Sequence, residues 1–205
     1  MRCLAKYTSA LLIFLTFAAG ILAQSADRAI ATFDDSPPAT VSFIVETPDP
    51  FFYQGLVWRG FSVIQGNHES LAKFPRSGYR VGAVSGSFAA VAAGRAVSQS
   101  TIERKGGGSF VFYGAHLTAA WRTGLNVTFE GLRGGNVVFT KELVANTMDA
   151  VLLSGEWEVE TVEIRAGGGS DGDVCPPNDC YPGPELLVDD LIYSLSERVD
   201  APTAN

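Results

Sequence analysis

Apolar and polar residues alternate with a period of two along much of the chain. In LNVTFEGL, Leu125, Val127 and Phe129 are apolar and the residues between them are polar. This is the pattern of a strand with one face in a core and the other in water. The segment therefore predicts a β-strand whose polar side carries Asn126 and Thr128.

Further runs of this kind recur, and glycine-rich turn segments such as ERKGGGS and EGLRGGN separate them. Periodicity typical of helices is almost absent after the first 26 residues. Short strands with turns between them predict an all-β antiparallel β-sandwich or barrel. The predicted strands are VSFIVE (Val41 to Glu46), GLVWRGFSVI (Gly55 to Ile64), GSFVFYGAHL (Gly108 to Leu117), GNVVFTKELV (Gly135 to Val144) and WEVETVEI (Trp157 to Ile164).

Two segments depart from the simple pattern. In WEVETVEI the apolar phase slips near Glu160 and Thr161, and a β-bulge within one strand would return both apolar pairs to the core. The alanine-rich SFAAVAAGRAV, residues 87 to 97, has some helical propensity, but we interpret it as a strand followed by a loop.

The first residues have the features of a secretory signal peptide. Arg2 and Lys6 precede an apolar run from Ala10 to Ala23, which is too short for the roughly 20 residues of a membrane span. We expect cleavage near Ala23, with Gly20 and Ala26 as alternatives. The predicted organisation is a signal peptide at 1–23, one β-sandwich domain at 27–196 and a flexible C-terminal tail at 197–205.

Charge restricts the class of partner. Without Arg2 and Lys6 the chain has 13 basic and 22 acidic residues, a formal net charge of −9. An acidic surface argues against nucleic acid and against anionic lipid. We therefore expect a secreted, extracellular protein that stays off the membrane after signal cleavage.

Two cysteines remain once Cys3 is removed with the signal peptide. Cys175 and Cys180 enclose CPPNDC, and in an oxidising compartment a disulfide is the simplest interpretation. A zinc site is the alternative, although two thiolates without a nearby histidine are a poor ligand set. Asn126-Val127-Thr128 is an N-glycosylation acceptor on the polar side of its predicted strand.

Two pairs of adjacent aspartates stand out, Asp34 and Asp35 in IATFDDS and Asp189 and Asp190 in PELLVDDLIYSL. Neighbours in a strand point to opposite faces, so one acid of each pair is expected to point inward unless the strand bulges. A buried carboxylate needs a cation or several hydrogen-bond donors. Both faces around Asp189 and Asp190 are apolar, with Leu187, Leu191 and Tyr193 on one and Leu186, Val188 and Ile192 on the other.

Calcium prefers oxygen ligands, and if the first and last strands are neighbours, the four aspartates can surround one structural ion. The alternatives are that the acids lie in turns, solvated or capping backbone amides, or that an arginine pairs with them. The sequence leaves these open.

Several short segments resemble a group of microbial secreted proteins with an FDD-type opening element, a Y-x-G-L/F-x-W segment and a closing L-D-D-L-type strand. They are ATFDD, YQGLVWRGF, SGYRVGAVSGS, FVFYGAHLTAAW, LNVTFEGLRGGNVVF and LLVDDLIYSL, and they span residues 33 to 195. Some bacterial relatives have a PEP-CTERM sorting tail, which does not occur in ERVDAPTAN. The resemblance implies a galactose-binding-like jelly roll in which terminal-strand acids hold calcium.

Function is predicted by exclusion and by this analogy. No His-Glu-x-x-His motif or phosphate loop is present. We therefore expect a non-catalytic module that binds an extracellular glycan, with Tyr53 and Trp121 as candidate stacking platforms because both lie beside loops. The alternatives are a surface or matrix protein that binds another protein, and a small polysaccharide-active enzyme that uses His116 and Tyr113.

Overall fold

A computed structural model describes residues 27–39, 42–45, 47–92, 99–170 and 183–195. The predicted signal peptide, the C-terminal tail and the pair Cys175 and Cys180 lie outside these residues. Within them, no helix is long and apolar enough to cross a membrane.

Thirteen strands and two short helical segments form in the described part of the chain. The helical segments are a 3₁₀ helix at Glu69–Lys73 and α1 at Gly78–Val81. The strands are Ala29–Ala31 (β1), Ile44–Val45 (β2), Phe51–Tyr53 (β3), Leu56–Arg59 (β4), Phe61–Gln65 (β5), Phe88–Ala92 (β6), Ser100–Arg104 (β7), Phe110–Ala119 (β8), Thr123–Arg133 (β9), Asn136–Ala145 (β10), Val151–Val159 (β11), Thr161–Ser170 (β12) and Leu186–Leu195 (β13).

Two antiparallel sheets pack face to face. The seven-stranded sheet has the order β11-β8-β13-β6-β5-β2, with β1 paired to the second half of β13, and the six-stranded sheet has the order β10-β9-β12-β7-β4-β3. Many connections cross from one sheet to the other, as they do in jelly rolls. The prediction of an all-β antiparallel sandwich is confirmed.

The main core lies between the two sheets, and β9 shows how the sequence specifies it. Leu125, Val127 and Phe129 are buried in this core, whereas Asn126 is exposed on the opposite face. The alternation predicted for this strand is confirmed. Trp58 is fully buried in the same core, between Phe33, Phe51 and Phe61.

Two predicted strands are each divided between the sheets. The prediction of one strand across Gly60 is wrong, because Gly60 adopts a φ of +70° and separates β4 in one sheet from β5 in the other. The predicted bulge near Glu160 is also wrong, since the chain leaves β11 there and enters β12 in the opposite sheet. Where the chain changes sheet, the alternation of buried and exposed residues begins again and is offset by one residue. If the segment is taken for a single strand, this offset looks like a bulge.

A second, smaller core covers one half of the outer face of the seven-stranded sheet. Ile64 of β5, Val91 of β6 and Leu187 of β13 contribute the sheet side, while Tyr79 and Trp121 cover them. The alanine-rich segment supplies β6, as predicted for its first part, and its small side chains allow close packing on both faces. The predicted loop at residues 93–98 lies outside the described residues.

Candidate functional site

A β-bulge in β13 explains why this apolar strand tolerates two adjacent acids. The pairing with β8 shifts register between Asp189 and Ile192, and Asp190 adopts a φ of +47°. Val188 points into the main core before the bulge, and Leu191 does so after it. Because the bulge adds one residue, the next side chain to point inward after Val188 is Leu191 and not Asp190. Both carboxylates therefore lie on the outer face.

Asp189 is fully buried against the loop that precedes β6. Its Oδ2 accepts hydrogen bonds from the backbone N–H groups of Val84, at 2.7 Å, and of Ser85, at 3.0 Å. Its Oδ1 has no hydrogen-bond partner in the part of the chain that the structure describes. Burial and the negative charge of Asp190 raise the pKa of Asp189 to about 7, although the nearby N–H groups oppose the shift.

Asp190 contacts two side chains that the sequence analysis did not connect with it. Its Oδ1 accepts a hydrogen bond from the hydroxyl of Ser85 at 2.5 Å. Its Oδ2 lies 3.2 Å from Nδ1 of His116, the residue that β8 places opposite Asp189. Asp190 therefore links β13 to both the loop and the neighbouring strand.

Asp34 reaches the same loop from the other end of the chain. Its Oδ1 accepts hydrogen bonds from the backbone N–H groups of Ser87, at 2.8 Å, and of Phe88, at 3.3 Å. The pairing of β1 with β13 brings the two ends together. We call residues Val84–Phe88 the acid-binding loop, because it receives three of the four predicted aspartates, Asp34, Asp189 and Asp190.

Asp35 is the exception among the four acids. It is exposed and hydrogen-bonds to Tyr53 instead of the acid-binding loop. Burial, followed by the hydrogen bond and charge of Asp35, raises the pKa of Tyr53. The phenol ring of Tyr53 stacks on Phe33, with centroids 4.7 Å apart. Asp35 and Tyr53 thus form a contact separate from the acid-binding loop.

The described residues do not provide a complete set of side-chain ligands for a metal ion. Residues 27–39, 42–45, 47–92, 99–170 and 183–195 contain no group of three or more His, Cys, Asp or Glu side chains arranged to hold one. Asp189 Oδ1 is nevertheless a buried oxygen without a partner. Such an atom is costly unless a proton or a cation satisfies it.

Ser85, Asp190 and His116 form a chain in which the carboxylate is the middle member. In a nucleophilic triad the imidazole is the middle member, because it takes the proton of the serine hydroxyl. Here the hydroxyl of Ser85 donates to the carboxylate and does not contact the imidazole. This order orients His116 and holds the loop, and it gives Ser85 no base of the triad type.

The two predicted stacking platforms occupy different environments. Tyr53 is half-buried, and Phe33 already lies against its ring. Trp121 is only 6% exposed and makes edge contacts with Phe74 and Tyr79 in the second core. Because sugar stacking needs an open ring face, Trp121 does not fit the predicted role.

The outer face of the six-stranded sheet carries a polar row in cross-strand register. Glu130 of β9 lies opposite Glu163 of β12, which lies opposite Thr101 of β7, and Thr101 lies opposite Arg59 of β4. Arg165 donates to both glutamates at 2.7 Å. The second core covers only the other sheet, and Asn126 is exposed on this same polar face.

Sequence reasoning missed Ser85 and the acid-binding loop, because their contacts with β13 join residues about 105 positions apart. The only local signal was SGYRVGAVSGS, whose small residues and glycines suit a loop that offers its backbone N–H groups. The pairing of His116 with Asp190 depends on the bulge in β13.

No family model matches the chain, and no curated protein matches it. It is similar to the CBM22-1 and GH10 modules of endo-1,4-β-D-xylanase 10B from Clostridium thermocellum, solved with xylohexaose. That likeness has 14% identity and a TM-score of 0.37, and covers 77% of this chain but only 29% of the xylanase chain. A DUF4465 family protein from Bacteroides ovatus is similar over 82% of this chain and 93% of its own, with 7% identity and a TM-score of 0.45.

Proposed function

We propose that this protein is a secreted, non-catalytic β-sandwich module that binds an extracellular glycan on the outer face of its six-stranded sheet. The polar row across β9, β12, β7 and β4 is the observation that supports this role. Its carboxylates accept hydrogen bonds and its guanidinium groups donate them, which matches adjacent sugar hydroxyl groups. A row in cross-strand register presents these groups side by side across four strands, which suits an extended chain.

The contacts of the paired acids favour binding over catalysis. A glycosidase needs two carboxyl groups that face each other across the scissile bond. Asp34 and Asp189 accept backbone hydrogen bonds, Asp190 accepts one from Ser85, and Asp35 contacts Tyr53. Each of the four is thus already held in a structural contact.

We also propose a structural calcium ion at the acid-binding loop. Asp189 Oδ1 would be one ligand, and the neighbouring Asp190 and Asp34 are the other candidate carboxylates. Calcium accepts main-chain carbonyl oxygens and water alongside carboxylates, so two or three acids can suffice. When bound, it would neutralise carboxylates that the fold gathers at one place.

A glycan array probed with the mature protein tests the glycan-binding role. We expect binding that weakens in Arg165→Ala and Glu163→Gln, because both changes remove groups of the polar row. Glu69→Gln is the matched control, since Glu69 is exposed on the 3₁₀ helix and lies outside the polar row. Absence of binding to every glycan, with capture of a defined protein partner, would sink the proposal.

The protein-interaction alternative has its own support on β10. Val137, Val138 and Val144 are each about half exposed on this edge strand of the six-stranded sheet. Exposed apolar side chains on an unpaired edge are typical of surfaces that pair with another chain. Arginine substitution at Val138 should abolish such pairing and leave glycan binding unchanged.

A further inference from the structure

The second core leaves part of the seven-stranded sheet open to solvent. This open part, which we call the β8 face, consists of the outward side chains of β1, β8, β11 and the second half of β13. Phe112 and Ala115 of β8 point into the main core. Tyr113 and His116 therefore point outward, on either side of Gly114.

His116 presents one defined ring nitrogen to solvent. Its Nδ1 is enclosed and lies 3.2 Å from the carboxylate of Asp190, without a hydrogen bond between them. Nε2 is the nitrogen on the far side of the ring, and it makes no hydrogen bond with any described residue. An imidazole nitrogen that faces solvent can donate or accept a hydrogen bond, depending on the tautomer.

The positively charged side chain of Arg28 lies at the other end of the β8 face. The guanidinium carbon of Arg28 is 4.0 Å from the ring centroid of Tyr113, a cation–π contact that fixes the arginine on the sheet. Within the described residues Arg28 forms no ion pair. A positioned guanidinium without an acidic partner is a binding group for a carboxylate.

An apolar floor connects these two ends. Ile30 of β1 lies opposite Ile192 of β13, and Ile192 lies opposite Gly114 of β8, which adds no side chain. Ile30 is 48% exposed. Tyr113 and His116 are three residues apart, so the strand rise separates the two ends of the floor by about 10 Å.

We propose that the β8 face binds a glycan that contains uronic acid residues. Arg28 pairs with the uronate carboxylate, Nε2 of His116 forms a hydrogen bond with a sugar hydroxyl, and the C–H face of the sugar packs on Ile30 and Ile192. The span suits a disaccharide segment. The ligand class rests on the proposed function, whereas the site lies on the opposite sheet and its residues are independent of the polar row.

Calorimetry with a uronate oligosaccharide and a neutral oligosaccharide of equal length tests this site. We expect Arg28→Ala and His116→Ala each to weaken uronate binding by about tenfold or more, the loss typical of a charge-assisted hydrogen bond. Arg28→Lys should have an intermediate effect, because lysine keeps the positive charge but lacks the two parallel N–H donors with which a guanidinium group binds a carboxylate. Arg80→Ala is the matched control, because Arg80 is exposed on α1 and belongs to neither the β8 face nor the polar row. It should leave uronate binding unchanged.

Proton NMR gives a second measurement that needs no substitution at the site. The sequence has two histidines, so a His68→Gln variant assigns the ring signals of His116. Adding the uronate oligosaccharide should shift the His116 signals and leave those of His68 in place.

The outcomes separate the two proposals. Binding of neutral glycans alone, or uronate binding that is insensitive to Arg28 and His116, would overturn the β8-face site and leave the glycan-binding module intact. Absence of all glycan binding would overturn both.

Discussion

The carboxylate of Asp34 lies against Gly86 at a point where no side chain fits. A Cβ built on Gly86 would be 2.0 Å from both carboxylate oxygens of Asp34, and Gly86 has a φ of +63°. The acid-binding loop therefore needs glycine at this position for two reasons, the close approach of a carboxylate and the left-handed backbone.

Gly86→Ala should destabilise the protein more than a left-handed glycine substitution alone does. Gly134→Ala is the matched control, because Gly134 has a φ of +56° and open space around it. The control should lose about 1–2 kcal/mol, the cost of a left-handed alanine. Gly86→Ala should lose a further 1–3 kcal/mol or so from overpacking, measured by urea unfolding.

The second half of this prediction is a double substitution. Combining Gly86→Ala with Asp34→Ala removes the clash, so the two losses should be less than additive. Additive losses would show that Asp34 does not rest against Gly86 in solution.

Asp189 should make stability depend on pH in a defined direction. Its folded pKa of about 7 lies above the unfolded value, so the folded state holds the proton more tightly. The stabilisation that comes from this tighter proton binding is fully present below the unfolded-state pKa of Asp189. It disappears as the pH rises through 7. The free energy of unfolding of the wild type, relative to Asp189→Asn, should fall by up to about 1.4 kcal/mol per pH unit between pH 4 and 7.

Urea unfolding in EDTA at several pH values measures this difference, since the chelator removes any metal contribution. Asparagine keeps the size of the side chain and an oxygen that can accept from Val84 and Ser85. The prediction would be contradicted if the free energy of unfolding of the wild type, relative to that of Asp189→Asn, rose with pH.

The proposed calcium ion predicts a response of the melting temperature. Excess EDTA should lower it and added calcium should restore it, because an ion bound only to the folded state stabilises that state. Asp189→Ala should remove the response, whereas Asp35→Ala should keep it, since Asp35 contacts Tyr53 elsewhere. A melting temperature indifferent to chelator and calcium would remove the ion from the account.

Trp121 should matter for stability and not for ligand binding. Trp121→Ala should cost about 3–5 kcal/mol, the usual loss for a buried tryptophan. Trp121→Phe should cost less, because a ring still fills the space beside Phe74 and Tyr79. Calorimetry on Trp121→Phe should give unchanged glycan affinity, and a selective loss of affinity would restore Trp121 as a platform.

The fold class was predictable because alternation is a local signal. Leu125, Val127 and Phe129 alternate with polar residues over one uninterrupted strand, so their burial follows from the sequence. The corners at Gly60 and Glu160 were not predictable in the same way. A change of sheet and a bulge produce the same slip of phase, and only the partner strands distinguish them.

The candidate site was predictable in part for a related reason. The paired aspartates were conspicuous because two charges in an apolar strand need partners. Those partners are backbone N–H groups of Val84 and Ser85, which every sequence offers and no side-chain pattern reveals. The role of His116 depends on the bulge at Asp190, and its register is set by contacts between β8 and β13.

β13 also sets the order in which the molecule can be assembled. It lies in the interior of the seven-stranded sheet, pairs with β1, β6 and β8, and is the last strand described along the chain. A chain emerging from the ribosome therefore has β6 and β8 before the strand that joins them. Folding waits for the C-terminal segment, and its long-range pairings make it slow. Until then the nascent protein exposes two sheet edges, which makes this interval the one in which chaperones are most needed.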